Sequence, residues 1–559
     1  MRMGLIQWII KGLKRFSFIG LLIGGLFFAM SLTPSLIPRG FVFQGALAGV
    51  CFALGYGFGA LIRWNWHYLE LPLFPERPLR ILNGLTALAV IGTMLVSLWL
   101  GADWQNSIRD LMGMEPVETS HPVRVAGVAL IVAMVLIILG RLVGGLTRFS
   151  YRRLQHYVPK RVAFIVGPIL VAVLLVNLAN GVVVRGVLDA MDSSYAALDN
   201  LIEEDVPPPE LDMQSGGPNS LVDWHAMGRR GREFAATGPT QSEISAFTGR
   251  QAKQPIRIYV GLNSADSIEE RAQLALAELK RVNAFDRKIM VVVTPTGTGW
   301  VDPMGQDPVE YLHDGDIATV AVQYSYLSSP ISLVVEPEQS RESARAVFAL
   351  IYDHWRNLPA QARPRLYLNG LSLGSHGSEA SLQLYDLIGD PIQGALWAGP
   401  PFPNTIHTSV TQDRNPGTPQ WLPEFRDGSM FRFTSQTDKL QVATAPWGPL
   451  RIVYLQYASD PIVFFDMGGA FRRSDWMLPP RGPDVSPKFT WYPVVTFLQL
   501  ALDMMAATSV PYGYGHKYHP RDYIDSWIAV TAPETWDAAD TPGLKAYFDE
   551  KIRPEAEQE

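Results

Sequence analysis

Five apolar runs fill the first third of this 559-residue chain, and each is close to the roughly 20 residues a helix needs to cross a bilayer. They cover about Ser17–Ile37, Phe41–Leu61, Leu82–Leu100, Val123–Val143 and Val162–Val184, and none carries an acidic residue. Glycine pairs at GxxxG spacing (Gly20/Gly24, Gly45/Gly49, Gly140/Gly144) would let such helices approach closely. A basic start (Lys11, Lys14, Arg15) and a small-residue site at Ala29–Ser31 would also fit a cleaved signal peptide. The apolar run continues past that site to SLIPR and four more runs follow, which favours an uncleaved anchor.

Lys and Arg are unevenly shared between the connections. The N-terminus, the second connection and the fourth carry thirteen, among them Arg2, Arg63, Arg77, Arg80, Arg148 and Lys160. The other two connections carry only Arg39, Arg109 and Arg124. Basic residues stay on the cytoplasmic side, so the N-terminus is expected in the cytoplasm. Five spans would then put everything after about Gly186 at the outer face of a cytoplasmic membrane.

The chain as a whole is 48% hydrophobic and 18% charged, which fits a membrane part joined to a globular part. Its net charge of −6 gives no electrostatic case for nucleic acid. A single cysteine, Cys51, excludes an internal disulfide and a cysteine-based zinc cluster, and no motif calls for a cofactor or metal. Three regions are expected: a helical transmembrane domain over 1–187, a linker and junction over 188–254, and a globular domain over 255–559. The junction contains the acidic, Pro/Gly/Ser-rich EEDVPPPELDMQSGGPNS, which reads as extended.

From Pro255 onward strand and helix patterns alternate. IRIYVGL, KIMVVVTP, DIATVAVQY, RLYLNG, IQGALWAG and LRIVYLQYAS read as strands. SIEERAQLALAELKRV and SRESARAVFALIYDHWRNL read as helices, the second with Ser340 as its cap, and ASLQLYDLI continues a helix after a glycine turn. Unbroken apolar strands alternating with helices imply a doubly wound, mostly parallel sheet covered on both faces. Lid-like insertions are expected around 400–449 and 464–511. The apolar WYPVVTFLQLALDMMAATSV within the second is either a buried helix of the domain or an interfacial element touching lipid or the membrane part.

Gly370-Leu371-Ser372-Leu373-Gly374 fits G-x-S-x-G, with a strand before it and a helix after it. The turn is sharp, so any Cβ at Gly370 or Gly374 would crowd the neighbouring strand and helix. Ser372 is thereby a candidate nucleophile. On such a sheet the chain order should be serine, then acid, then histidine. Asp460 lies just past a late strand and His516 follows in the glycine-rich GYGHKYHP. His519, three residues on, could serve instead of His516; His376 and Asp466 are weaker alternatives for base and acid. Leu373 N–H is one expected oxyanion donor. The other is Gly297 or Thr298, in the TPTGTGWVDP loop after an early strand, where Trp300 could line an acyl pocket.

TPTGTGWVDP, QYSYLSSPISL, GLSLGSHG, YLQYASDPIV and GYGHKY, with SLTPSLIPRG near the N-terminus, resemble the bacterial membrane-anchored α/β-hydrolase family. The resemblance covers nearly the whole chain. It implies a multi-span N-terminal region, a C-terminal hydrolase domain, and Ser372 as nucleophile with Asp460 and His516 as partners. Leu371 departs from the family, whose members more often have Glu before the serine, so no polar contact is carried over to that position. The expected function is a serine esterase, lipase-type hydrolase or acyltransferase acting on an ester in or near the membrane. The alternative is a membrane scaffold or transport accessory with a vestigial hydrolase domain, which would predict a broken triad.

Overall fold

The computed structural model describes residues 16–72, 76–178, 194, 198–199, 201, 206–383 and 389–556. The basic residues Arg2, Lys11, Lys14 and Arg15, the end of the fifth apolar run, the acidic start of the linker and the end of ASLQLYDLI lie outside them. The chain divides into two compact units, neither continuous in sequence. The first gathers Met1–Leu188, Asp466–Met477 and Val485–Ala506; the second gathers Asp189–Phe465, Leu478–Asp484 and Ala507–Glu559.

Among the described residues, four helices of the first unit are long and apolar enough to cross a membrane: Phe41–Tyr68, Arg77–Trp99, Pro122–Leu154 and Lys160–Asn177. Five such helices were expected. The first run instead forms a 14-residue helix, Phe18–Ser31, which rises about 21 Å against a hydrocarbon core of about 30 Å. It stops where the Ser31 hydroxyl turns back onto Phe28 O and Pro34 follows, a residue that disfavours helix before it. Gly20 and Gly24 press on the next helix, where an added Cβ would come within 2.8 Å of Tyr56 O and 2.9 Å of Phe52 O. Gly45 and Gly49 press likewise on Val125 O and Ala129 O, at 3.0 and 2.7 Å. At the third pair, Gly140/Gly144, an added Cβ would meet nothing within 4 Å among the described residues.

The helix Val495–Met505, from the stretch expected to be lid-like, belongs to this first unit. Val495 buries against Leu47 and Cys51. Gln499 donates to Thr33 O at 3.0 Å. Asp503 pairs with Arg39 at 3.1 Å, their side chains 0% and 1% exposed, and accepts Leu36 N–H at 3.1 Å. Gln44 and Gln105 complete the polar shell by accepting from Arg39 Nη1 and Arg39 N. Arg39, counted among the connection charges by sequence, is therefore a buried half of an ion pair.

The second unit is built on a seven-stranded sheet whose pairings are all parallel. Its strands are β1 (Ile256–Val260), β2 (Ile289–Thr294), β3 (Ile317–Val322), β4 (Arg365–Leu371), β5 (Gly394–Ala398), β6 (Phe431–Thr434) and β7 (Arg451–Leu455), in the order β1-β3-β2-β4-β5-β7-β6. β1, β2, β3 and β5 are buried along their whole length, as unbroken apolar runs require. β6 was not expected: it lies within the 400–449 stretch read as an insertion. The helix Ile268–Arg281 starts at a capping box formed by Ser267 and Glu270, a contribution of about 1 kcal/mol. Ser340 does not cap its helix, which starts at Pro337; its hydroxyl instead donates to Leu373 O at 3.1 Å. That bond ties the long helix Pro337–Arg356 to the start of the helix after β4.

Candidate active site

The chain turns sharply directly after β4, whose last residue is Leu371. Ser372 takes up the turn with φ 57° and ψ −129°, a conformation costly for any residue with a Cβ and characteristic of functional sites. Both flanking glycines are sterically required. A Cβ on Gly370 would lie 2.5 Å from Gly374 C, and one on Gly374 would lie 2.2 Å from Thr294 O at the end of β2. The helix Leu373–Ser381 begins directly after the serine, so Leu373 N–H is its first amide and has no acceptor inside the helix.

Strand register carries the geometry across to β5. Leu371 pairs with Ala398, and Ser372 N donates to Ala398 O at 3.0 Å, which sets Gly399 beside the serine. Gly399 in turn lies flat against the His516 ring: a Cβ there would sit 2.4 Å from Cε1. One strand further on, β7 ends at Leu455 and the chain reaches Asp460, which caps the short helix Pro461–Phe464.

Asp460 is fully buried, and all its partners are identifiable. Oδ1 accepts Ile462 N–H at 2.9 Å, while Oδ2 accepts His516 Nδ1 at 2.6 Å and Tyr518 Oη at 2.7 Å. A carboxylate only accepts, so Nδ1 carries a proton and donates it to Oδ2. Nε2 is buried with no partner among the described residues. Ser372 and His516 are not hydrogen-bonded to each other here; such contacts commonly tighten only when substrate is bound.

The alternative groups are engaged elsewhere. His519 caps the helix Pro520–Thr531, its Nδ1 accepting Arg521 N–H at 3.2 Å, and burial holds its imidazole down to about 4. His376 is held by Asn404 at 3.2 Å, and burial lowers its basicity. Asn404 is held by the buried Glu379, which also accepts Tyr454 Oη and the amides of Ile406 and His407. Asp466 caps a short turn by accepting Gly468 N–H at 2.8 Å, and it belongs to the first unit. Of the two loop donors, Gly297 gives its N–H to Ser329 Oγ at 3.1 Å, whereas Thr298 N–H has no acceptor among the described residues. Trp300 closes that loop by accepting Thr296 N–H at 2.9 Å through its carbonyl.

Three groups escaped the sequence reading. Tyr518 shares Asp460 Oδ2 with His516, and Gly399 shapes the histidine's seat. Asp484, 2% exposed, stands behind both loops: its Oδ2 accepts Ser459 N, Ser459 Oγ and Gln436 Nε2 at 3.0, 2.6 and 2.7 Å. No local pattern marks any of them, since each acts on partners far away in sequence. A cavity of about 220 Å³ lies apart from these groups, among residues such as Phe425, Phe431 and Arg432. The Arg432 guanidinium there is already committed to the carbonyls of Gly428, Leu440 and Ala445.

Residues 256–544 match a family model described as an alpha/beta-hydrolase family, and residues 32–239 match the model of that family's N-terminus. Among curated proteins and solved structures, none matches the chain.

Proposed function

The chain belongs to this alpha/beta-hydrolase family, and on that premise we propose that it is a membrane-held serine hydrolase or acyltransferase acting on an ester. The observation that carries the reading is the His516–Asp460 pair, with Nε2 unpartnered and the ring seated on Gly399 beside Ser372. Ser372 Oγ attacks the ester carbonyl carbon while His516 Nε2 takes its proton. Asp460 holds the ring in the required tautomer and stabilises the imidazolium. The oxygen of the tetrahedral intermediate takes hydrogen bonds from Leu373 N–H and Thr298 N–H. Collapse breaks the bond to the alcohol, which leaves with the proton from Nε2, and the acyl group stays on Ser372. Water as second acceptor gives hydrolysis; a lipid or sugar hydroxyl gives transfer.

Four membrane-length helices are more than an anchor requires, which supports a substrate that is itself in the membrane, a lipid ester. The Lys and Arg asymmetry supports a cytoplasmic N-terminus; the four long helices alone would then return the chain to the cytoplasmic side, and a hydrolase domain at the outer face requires Phe18–Ser31 to cross as a fifth. A scaffold with a vestigial domain would have no reason to keep the Asp460–His516 pair. Ser372→Ala is expected to abolish labelling of the full-length protein by a fluorophosphonate probe; retained labelling would remove the nucleophile assignment.

A further inference from the structure

The loop that carries His516 closes on itself, Gly513 N–H donating to Lys517 O at 2.8 Å and Lys517 N–H to Tyr514 O at 3.1 Å, and His516 N–H donates to Ala507 O at 2.8 Å. Gly513 and Gly515 flank its tip with φ of +94° and +55°, left-handed values that favour glycine. Two further hydrogen bonds tie it to neighbouring loops. Gly515 N–H donates to Ser459 Oγ at 2.9 Å, and Gly513 O accepts Gln436 Nε2 at 3.1 Å. Both struts end on one atom, Asp484 Oδ2.

The direction of each bond follows from the chemistry of that atom. An ionised carboxylate only accepts, so Ser459 must point its hydroxyl proton at Asp484. Its oxygen lone pair then faces Gly515 N–H. Ser459 also precedes Asp460, and its own N–H is held by the same carboxylate at 3.0 Å. One oxygen atom thus fixes the end of β6 through Gln436, the acid loop through Ser459, and the base loop through both. All of these side chains are buried or nearly so, where hydrogen bonds to a charge are strongest.

We propose that Asp484 is a positioning residue that sets the distance and angle between Asp460 and His516, acting through Ser459 and Gln436 without touching substrate. This rests on the reading of Ser372, Asp460 and His516 as a catalytic triad. Its consequence is that the base loop loses the ordering of these two ties when the carboxylate is removed, although both triad partners remain in the chain.

The test uses the full-length protein in detergent micelles and a fluorophosphonate probe, with the maximal inactivation rate and the probe's half-saturating concentration measured separately. Ser459→Ala and Asp484→Ala should each lower the maximal rate about 10- to 100-fold and leave half-saturation unchanged, as expected for a misplaced base. In a His516→Ala background the same substitutions should have no further effect, because they act only through that ring. Asp484→Asn, whose amide oxygen can still accept from Ser459, should recover part of the rate. Asp484→Ala labelling at the parental rate would overturn the proposal, as would an equal loss with and without His516. Ser459→Ala, which removes a single oxygen, decides the matter if Asp484→Ala fails to fold. Failure of the triad reading shows separately, as labelling that survives Ser372→Ala.

Discussion

Gly399→Ala presses first on the seat of the histidine, with Tyr518 Cε2 next at 3.0 Å. The added methyl would lie 2.4 Å from His516 Cε1 and 2.9 Å from Nδ1, about 1 Å short of the 3.4 Å at which ordinary contact begins. The ring must withdraw by that amount or the β5 turn must yield. A misplacement of about 1 Å in a catalytic group costs roughly 100-fold in rate. The backbone adds a second penalty, since Gly399 has φ +53°, where an L-residue pays about 1–2 kcal/mol. Gly417→Ala separates the two effects: its φ is +88°, with nothing within 4 Å of an added Cβ. Both variants should therefore lose thermal stability, Gly399→Ala the more because of its overlap, and only Gly399→Ala should lose about two orders of magnitude in the rate of fluorophosphonate labelling. Labelling of Gly399→Ala at the parental rate, or a loss no greater than in Gly417→Ala, would refute the argument that this backbone position holds the base in place.

Other perturbations read different parts of the molecule. Asp503→Ala leaves Arg39 buried without its partner, which should cost about 3–5 kcal/mol in the unfolding of the detergent-solubilised chain. The pair Arg39→Met with Asp503→Leu should regain most of that, and a double variant no more stable than the single would contradict it. His407 and His519 should each make stability fall on acidification. Burial holds His407 and His519 down to about 4, below the ordinary 6.5, so the unfolded chain takes up protons there that the folded chain refuses. Their contribution is present above pH 6.5 and is lost as pH falls toward 4. Asp522, pushed up to about 7 by burial, acts in the opposite sense: its contribution is present below pH 3.8 and is lost as pH rises toward 7. His407→Gln should flatten the acid limb of a stability-versus-pH curve; an unchanged slope would show that His407 is not the group responsible.

What could be read from the chain was what is local or ordered. β1 to β5 and β7 announce themselves as short apolar runs between turn residues, and Ser372 announces itself by the glycines its turn requires. The succession of Ser372, Asp460 and His516 follows the order of strands in the sheet. β6 gave no such signal: it has four residues, one of them Arg432, inside a stretch rich in Pro, Trp and Phe. His519 could not be set aside from sequence, because its role as a helix cap depends on where the helix Pro520–Thr531 begins. Asp484 and Gly399 were invisible for a further reason. Their partners lie 25 to 117 positions away, and their residue types, an aspartate in a Pro-rich loop and a glycine after a strand, are what any loop would carry. The Arg39–Asp503 pair was hidden by the same distance, each half sitting in a stretch that reads sensibly without the other.

That pair also sets a timetable. Leu36 and Asp503, bonded in the finished protein, are 467 residues apart. At a synthesis rate of roughly 5–20 residues per second, roughly 20–90 s pass between the emergence of one and of the other. Through that interval the nascent N-terminal helices hold a guanidinium whose counter-charge has not yet been translated. Nor can recombination move the catalytic half as a cassette. A cut at the junction would carry Val495–Met505 away from the helices it completes, so both halves have to travel through evolution in a single reading frame.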